Sequence, residues 1–591
     1  MKRTEKALYK HRISLGMLAF FVVFSVFTVN ANAEIGSALS EKLETVSDSD
    51  FVKIIISFEN PNTVLNASPL AKDRSLTPLK RYSRMNNLLH EQADVNHNAL
   101  DSVVQDLVDN GLIRDYETFW IAGMAHAEAM KDGVIVLNTH PAVRIINLDF
   151  EIASMEPVLV QDAPPSFTGA QLGIELIGAR QAWEMGYDGT GSIVCNIDTG
   201  VDGMHPALMM KFRGNYAHPM DECWFDPYTN MPYPTDGRGH GTHTMGTILG
   251  SDGDDTIGVA PGAEWIAAAP VDRGGNLSRT LSDIILSFQW AADPDGNPET
   301  IDDRPDVINN SWGVPRGIRP ECDNTFWDVI DNCEAMGVVV IFAAGNEGPN
   351  PQTLRTPADR ATTPTNSFCV GAIDAADDNH LVATFSSRGP SGCDGFIIKP
   401  QVVGPGVGIR SSIPGGDYAT WNGTSMATPH IAGAIAILRQ VNQFASVDDI
   451  KYALMNTATD IGIEGPDFDY GYGLINIPAA IEYLINATDI SDDDIVSIPD
   501  DIELVGNYPN PFNSSTSIKF RLNMETDVTL SVYNIAGEKV STVFNGHLNA
   551  GEQIVEWDGI DNNGSTVSSG VYFYRLETDG KSLSRRMTLL K

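Results

Sequence analysis

Cysteine is scarce. The 591-residue chain has six, at Cys195, Cys223, Cys322, Cys333, Cys369 and Cys393. A disulfide scaffold needs a much denser framework, so that class is excluded. There is no Cys-x-x-Cys pair, which leaves a zinc or thiol-redox centre without support. Cys195 lies inside the apolar run 193–197, so it is expected as a buried free thiol; the pairing of the others is open. Basic residues are also few. Lys and Arg total 39 against 77 Asp and Glu, for a formal net charge of −38. Such a chain repels a phosphate backbone and is a poor partner for nucleic acid. After residue 33 no apolar run is long enough to span a bilayer. What remains, 42% hydrophobic and 20% charged, is ordinary globular composition, and the length suggests about three to five domains.

The N-terminus reads as an export signal over 1–33. Lys2, Arg3, Lys6, Lys10 and Arg12 precede an apolar core that includes Leu18–Phe24, and Ala31-Asn32-Ala33 supplies the small residues of a cleavage site. A retained anchor is the alternative. A small α/β unit is expected over 34–156. It has a strand at 51–58 and helical spacing over 85–110, with further strands at 113–125 and 143–153. A proline-containing linker over 157–168 follows. From 169 to 486 short apolar runs (192–197, 265–271, 307–310, 338–343, 368–373) alternate with helical stretches (280–291, 325–336, 425–441). That pattern predicts a doubly wound α/β domain with a mostly parallel sheet. An acidic linker over 487–503 leads to strand and turn signals over 504–591, expected as a β-sandwich.

Three local motifs carry chemistry. Asp198 follows Asn196-Ile197 at the end of a buried strand, where open α/β sheets place ligands. His240 stands between Gly239 and Gly241, small neighbours that leave an imidazole accessible. His240 and His243 also have a possible metal-ligand spacing, but no third ligand stands out. Ser425 follows Asn422-Gly423-Thr424 at the start of a helix whose free N–H groups suit a developing oxyanion. A lone serine there is more often an N-cap. In the company of Asp198 and His240 that reading loses ground.

These blocks resemble the subtilisin-type serine proteases, and more closely the bacillopeptidase F-like branch. Ala343-Ala344-Gly345-Asn346-Glu347-Gly348 and Asn309-Asn310-Ser311-Trp312-Gly313 also resemble family blocks, in the same order. The resemblance covers 169–486. It implies Ser425 as nucleophile, His240 as general base, Asp198 as the group that orients His240, and Asn346 as an oxyanion donor. It further implies Ser311, Trp312 and Gly313 as a substrate-binding strand and one wall of the primary pocket, with 343–345 as the other. Trp312 is bulky for that strand and is expected to narrow subsites. Glu347 at the rim either favours basic or polar side chains or is simply solvated. No cofactor is required. Structural calcium is common in the family, and Asp252, Asp254 and Asp255 offer oxygen donors, although an ordinary acidic turn is the stronger reading.

The unit over 34–156 resembles the inhibitor-like propeptide of these proteases in pattern and position. The C-terminal segment resembles the sorting domain of type IX secretion cargo, through Tyr508-Pro509-Asn510-Pro511-Phe512-Asn513, residues 569–576 and the basic end 585–591. Together these imply a secreted serine endopeptidase of a Gram-negative bacterium, extracellular or at the cell surface. Its partners would be protein or peptide substrates, its own propeptide and the secretion machinery, with no stable membrane insertion. The alternative is a catalytically silent subtilase fold used for surface adhesion, which would be expected to have lost one of the four site residues. An α/β esterase would need Gly-x-Ser-x-Gly at the nucleophile and the order Ser, Asp, His, and has neither.

Overall fold

The computed structural model describes residues 33–59, 76–150, 152, 155–162, 169–229, 231–271, 281–317, 322–488, 502–508, 512–522, 525–534, 539–562, 564–578 and 581–589. The expected export signal up to Asn32, most of the expected acidic linker, Pro509-Asn510-Pro511 and Leu590-Lys591 lie outside them. The chain forms two compact units, Met1–Ala487 and Thr488–Lys591.

In the first unit a five-stranded sheet comes first. Its strands, from one edge to the other, are Glu34–Ile35, Val143–Leu148, Val52–Phe58, Met124–Ala129 and Ile113–Phe119. The expected single strand over 113–125 is instead two antiparallel strands joined through 120–123. Phe119 and Met124 face each other as register partners across the turn. The helix over Pro78–Asp109 starts earlier than its apolar spacing suggests. Thr77 caps it by accepting the Lys80 N–H, and Pro78 sits in the first turn, where its missing N–H costs nothing. Leu100, Val104 and Leu107 from this helix pack on Ile54, Ile56, Ala127 and Ile146 of the sheet.

Seven parallel strands form the large sheet: Val402–Pro405, Phe368–Ile373, Val339–Ala343, Val307–Asn310, Ile193–Ile197, Glu264–Ala268 and Trp224–Phe225. Five of them, at 193–197, 307–310, 339–343, 368–373 and 402–405, are buried at every position. This is why they read as unbroken apolar runs: helices cover both faces of a parallel sheet. The expected α/β architecture is the one observed. Among the covering helices, His240–Leu249 and Thr424–Val441 pack closely because of glycine. A Cβ on Gly246 would stand 2.2 Å from Ser412 Oγ, and one on Gly433 would stand 2.6 Å from Val259 Cβ and 2.8 Å from the Ile248 carbonyl oxygen.

The five-stranded sheet and its helix dock on this domain through both apolar and polar contacts, with Ile55, Met85, Leu89, Phe119 and Ile121 buried in the core of the large domain. Tyr82 and Asn86 donate to the two carboxylate oxygens of Asp293, at 2.9 and 2.7 Å. Ser282 Oγ donates to Asp149 at 2.6 Å, and Asn332 Nδ2 to the Ile121 carbonyl at 2.7 Å.

Of the cysteines, Cys322 and Cys393 are bridged, while Cys195, Cys223, Cys333 and Cys369 are free and buried. Among the described residues no helix is long and apolar enough to cross a membrane.

The second unit contains antiparallel sheets of three strands (Ile502–Tyr508, Thr516–Leu522, Gly551–Trp557) and four (Lys539–Leu548, Thr526–Asn534, Gly570–Thr578, Lys581–Leu589). Phe520, Leu530, Trp557, Leu576 and Met587 share one core. This is the expected β-rich architecture.

The closeness at Gly433 generates a stability prediction. Gly433→Ala adds a methyl where backbone and a β-branched side chain already meet, so overpacking outweighs the gain in helix propensity. Unfolding free energy should fall by about 1–3 kcal/mol, read as a lower thermal midpoint. An unchanged or raised midpoint would show that the two helices can separate freely.

Candidate active site

Three neighbouring strands deliver side chains to one end of the large sheet. Asp198 follows Ile193–Ile197, Ser311 follows Val307–Asn310, and Asn346 lies just beyond Val339–Ala343. Parallel strands end together, so these groups converge at the carboxyl edge, the usual ligand site of such sheets. Below them runs a buried polar network. Asn309 Nδ2 donates to Asn196 Oδ1 at 2.8 Å, and Asn196 Nδ2 donates to the Gly241 carbonyl at 3.1 Å and to Thr244 Oγ1 at 2.9 Å. Each amide N–H thereby satisfies another buried polar group, which reduces the desolvation cost of the network.

His240 Nδ1 donates to Asp198 Oδ1 at 2.8 Å, with both side chains buried. Burial alone pushes the imidazole pKa down. The Asp198 charge and hydrogen bond outweigh it, with help from Asp236 and Glu156, and the net shift is upward. Opposite charge at contact distance favours the protonated ring. His240 Nε2 is buried and has no hydrogen-bond partner among the described residues, so a proton acceptor stands ready. The glycines beside His240 serve close packing rather than access. A Cβ on Gly241 would lie 2.0 Å from the Gly200 carbonyl oxygen and 3.1 Å from Asp198 Cβ, and Gly239 holds φ +86° at the helix start.

The sequence motifs do not reveal Asp236. Its Oδ1 accepts from the Gly239 N–H at 2.8 Å and from Thr199 Oγ1 at 2.9 Å, while Oδ2 accepts from the Thr242 N–H at 2.9 Å and from Thr242 Oγ1 at 2.7 Å. It therefore caps the His240 helix from outside and ties it to the residue after Asp198. An Asp ahead of the Gly237-Arg238-Gly239 turn is the only sequence signal. His243 has no part in metal binding. Its ring stacks on Trp421 at 4.3 Å, its Nε2 faces the Ala419 carbonyl, and burial pushes its pKa down to about 3.

Ser425 is the second residue of the helix Thr424–Val441. Pro429 lies four residues on and has no N–H, so the Ser425 carbonyl lacks its helical partner. Ser311 Oγ donates to that carbonyl at 3.1 Å, and Ser425 Oγ donates to the Ser311 carbonyl at 3.1 Å. Asn346 Oδ1 accepts from the Thr424 N–H at 3.0 Å, which aims its Nδ2 outward. That Nδ2 donates to the Glu156 carbonyl at 3.2 Å. The segment continues past the site: the Val158 N–H donates to the Asn422 carbonyl at 2.8 Å, and Leu159–Asp162 pairs antiparallel with Asp417–Asn422. Met155 is buried, with its sulfur 3.4 Å from Thr424 Oγ1.

On the proposed binding strand the side chains do not all face a substrate. The Trp312 ring is buried against Phe326 and Phe342, and its Nε1 donates to Asn310 Oδ1 at 3.1 Å. It belongs to the core, so the expected narrowing of subsites does not occur. Glu347 is neither a free rim charge nor simply solvated: it is ion-paired with Arg355. The Arg355 Nη1 donates to the Gly313 carbonyl at 3.1 Å. Of the three acidic residues suggested for calcium, Asp255 is committed elsewhere, because Arg410 holds its buried carboxylate in a bidentate pair at 3.1 and 2.9 Å. A different acidic cluster, Asp293, Asp295 and Asp303, has metal-ligand spacing, but Asp293 is already engaged by Tyr82 and Asn86.

Comparison with known proteins agrees with this geometry. The Subtilase family profile matches residues 189–473, and that of the FlgD Ig-like domain matches 507–582. Bacillopeptidase F of Bacillus subtilis (strain 168) is 40% identical over 335 residues, covering 54% of this chain and 22% of its own length. The chain thus spans under a quarter of that relative. Subtilisin of Bacillus pumilus is 36% identical over 313 residues, covering 52% of this chain and 98% of its own. Fervidolysin from Fervidobacterium pennivorans, described as a keratinolytic enzyme related to subtilisin, superposes with a TM-score of 0.53. It is 22% identical and the match covers 92% of this chain and 72% of that one, a likeness of fold alone. Over the catalytic region the chain belongs to the subtilase family, a family of serine endopeptidases.

Proposed function

We propose that the protein is an exported serine endopeptidase that cuts peptide bonds in proteins through an acyl-enzyme and matures by removing its own N-terminal unit. The observation that carries this reading is the Asn346 hydrogen bond to the Glu156 carbonyl, made beside the Asp198–His240 pair. Ser425 Oγ would attack such a carbonyl while His240 Nε2 takes its proton, and His240 would then pass that proton to the departing amine. Asp198 holds the ring with Nδ1–H toward itself and stabilises the imidazolium. Asn346 Nδ2, with the Ser425 N–H at the helix start, would hold the oxyanion, where charge grows only in the transition state. The present arrangement, with Ser425 Oγ on the Ser311 carbonyl, precedes attack: the hydroxyl has to turn from that carbonyl to His240. Hydrogen bonds of this kind often form only in the reacting complex.

Residues 34–156 fit the role of an inhibitory propeptide and 157–168 that of a processing linker, since the segment around Glu156 threads the site. Residues 1–33 fit a signal peptide, and 504–591 a β-sandwich sorting domain for type IX secretion reached through an acidic linker. The protein would then be secreted, or held at the surface of a Gram-negative cell. A silent adhesion module is disfavoured, because Asp198, His240, Asn346 and Ser425 are all retained.

Two outcomes follow. His240 must be neutral to act as a base, and its pKa is raised, so kcat/KM should climb with pH through a midpoint above the ordinary imidazole value of about 6.5. Asp198→Asn removes the main raising influence. Its rising limb should move to lower pH and turnover should drop on the order of 10⁴-fold; a pH–rate profile whose limb stays in place would detach Asp198 from His240. Second, purified Ser425→Ala should keep 34–156 covalently attached, whereas the wild type is cut near Glu156 or in the linker after it. Intact mass and N-terminal sequencing decide this, and normal removal of the segment from Ser425→Ala would assign the cut to another protease.

A further inference from the structure

Arg355 links the two walls of the primary pocket at one end. The Arg355 N–H donates to the Ala344 carbonyl at 3.0 Å, and Thr356 exchanges backbone hydrogen bonds with Val314. Its backbone therefore bridges from one wall to the other. Its side chain touches both walls, next to Glu347 and Ser387: a Cβ on Gly313 would stand 3.0 Å from Arg355 Cβ, and one on Gly345 would stand 2.6 Å from Glu347 Oε2 and Ser387 Oγ and 3.0 Å from Arg355 Cγ. We propose that Arg355 makes the site selective for substrates with an acidic side chain, glutamate above all, immediately before the scissile bond. This rests on the endopeptidase reading above.

Electrostatics and shape both support it. A guanidinium stays charged at every relevant pH and offers five N–H groups in a planar fork matched to a carboxylate. Glu347 takes the Nε edge and one Nη2 hydrogen, and the Gly313 carbonyl takes one Nη1 hydrogen. Two of the five are left for an incoming group. The Arg355 side chain is 13% exposed, and its partner Glu347 is 36% exposed. A carboxylate arriving between the walls thus meets a largely desolvated cation, and it has to displace Glu347, which Ser387 Oγ also holds at 3.2 Å. Such pairing is worth more than at an open surface. A lysine would meet like charge at the pocket end, and a large aromatic would meet the arginine stem. The chain offers a matching sequence of its own, since the carbonyl on Asn346 Nδ2 belongs to Glu156. The Glu156 side chain is exposed in this arrangement, and Arg355 is held by Glu347 instead, so an acidic substrate would exchange one carboxylate for another on the same guanidinium.

The test uses the mature enzyme and a set of quenched peptides identical except for Glu, Gln, Leu or Lys before the cleaved bond. Each enzyme sample is first titrated with a serine-directed reagent to count working sites. The expected kcat/KM order places Glu ahead of Gln by about tenfold or more, with Lys last. Arg355→Gly should erase the advantage of Glu over Leu, and Arg355→Lys should preserve part of it. Glu347→Gln removes the competing carboxylate and should widen the advantage; this arm decides the matter if Arg355→Gly fails to fold. Titrated enzyme that cuts after Lys or Leu at least as fast as after Glu overturns the role of Arg355 and leaves the protease reading standing. So does a Glu347→Gln variant whose preference for Glu is unchanged or smaller. Enzyme that neither titrates nor cuts any peptide contradicts the protease reading, and this proposal with it.

Discussion

A missing hydrogen atom organises this active site. Pro429 interrupts the helix that carries Ser425, and the carbonyl it fails to reach is that of Ser425 itself. A proline inside a helix costs roughly 3 kcal/mol when nothing compensates. Here Ser311 Oγ accepts the role of missing donor and the Ser425 hydroxyl returns a bond to the Ser311 carbonyl. The helix defect becomes a two-way tie between Ser425 and the strand proposed to bind substrate. From Ser311 the tie extends inward, because Asn309 Nδ2 also donates to Ser311 Oγ at 3.1 Å before reaching Asn196 and the His240 helix. Ser425, the His240 helix and Ser311 are therefore positioned by one continuous set of buried hydrogen bonds.

Not every buried polar atom near the site is paired. His240 Nε2, Asp198 Oδ2 and Asn309 Oδ1 have no hydrogen-bond partner among the described residues. Of these, His240 Nε2 is the atom proposed to accept a proton, and an open position there suits that role. The N-terminal unit docks through Tyr82, Asn86 and Asp149 and also through apolar side chains, since Ile55, Met85, Leu89 and Ile121 share a core with the large domain.

Much of this was legible in the sequence, where chemistry is local. Asp198, His240 and Ser425 each sit among small residues that keep their blocks distinctive, and buried parallel strands announce themselves as unbroken apolar runs. What stayed hidden depends on partners far apart in the chain. Arg410 engages Asp255 of the candidate calcium loop from 155 residues away. Arg355 stands between Leu354 and Thr356 with no motif around it, and its importance comes from two glycines, one of them 42 residues earlier. The direction of the Trp312 ring follows from pockets made by Phe326 and Phe342, which spacing along one strand does not encode. The turn over 120–123 was missed because apolar residues continue through it: Ile121 and Ala122 are buried, and the Ile121 carbonyl accepts from Asn332 of the large domain.

The central claim is that Ser425 is a nucleophile activated by His240. Reaction of the mature protein with a fluorophosphonate, followed by peptide mapping, tests it most directly. The account predicts one covalent adduct, on Ser425, formed rapidly in the wild type and nearly abolished in a folded His240→Ala variant. Labelling at another residue, or equal labelling of Ser425 without His240, would contradict it.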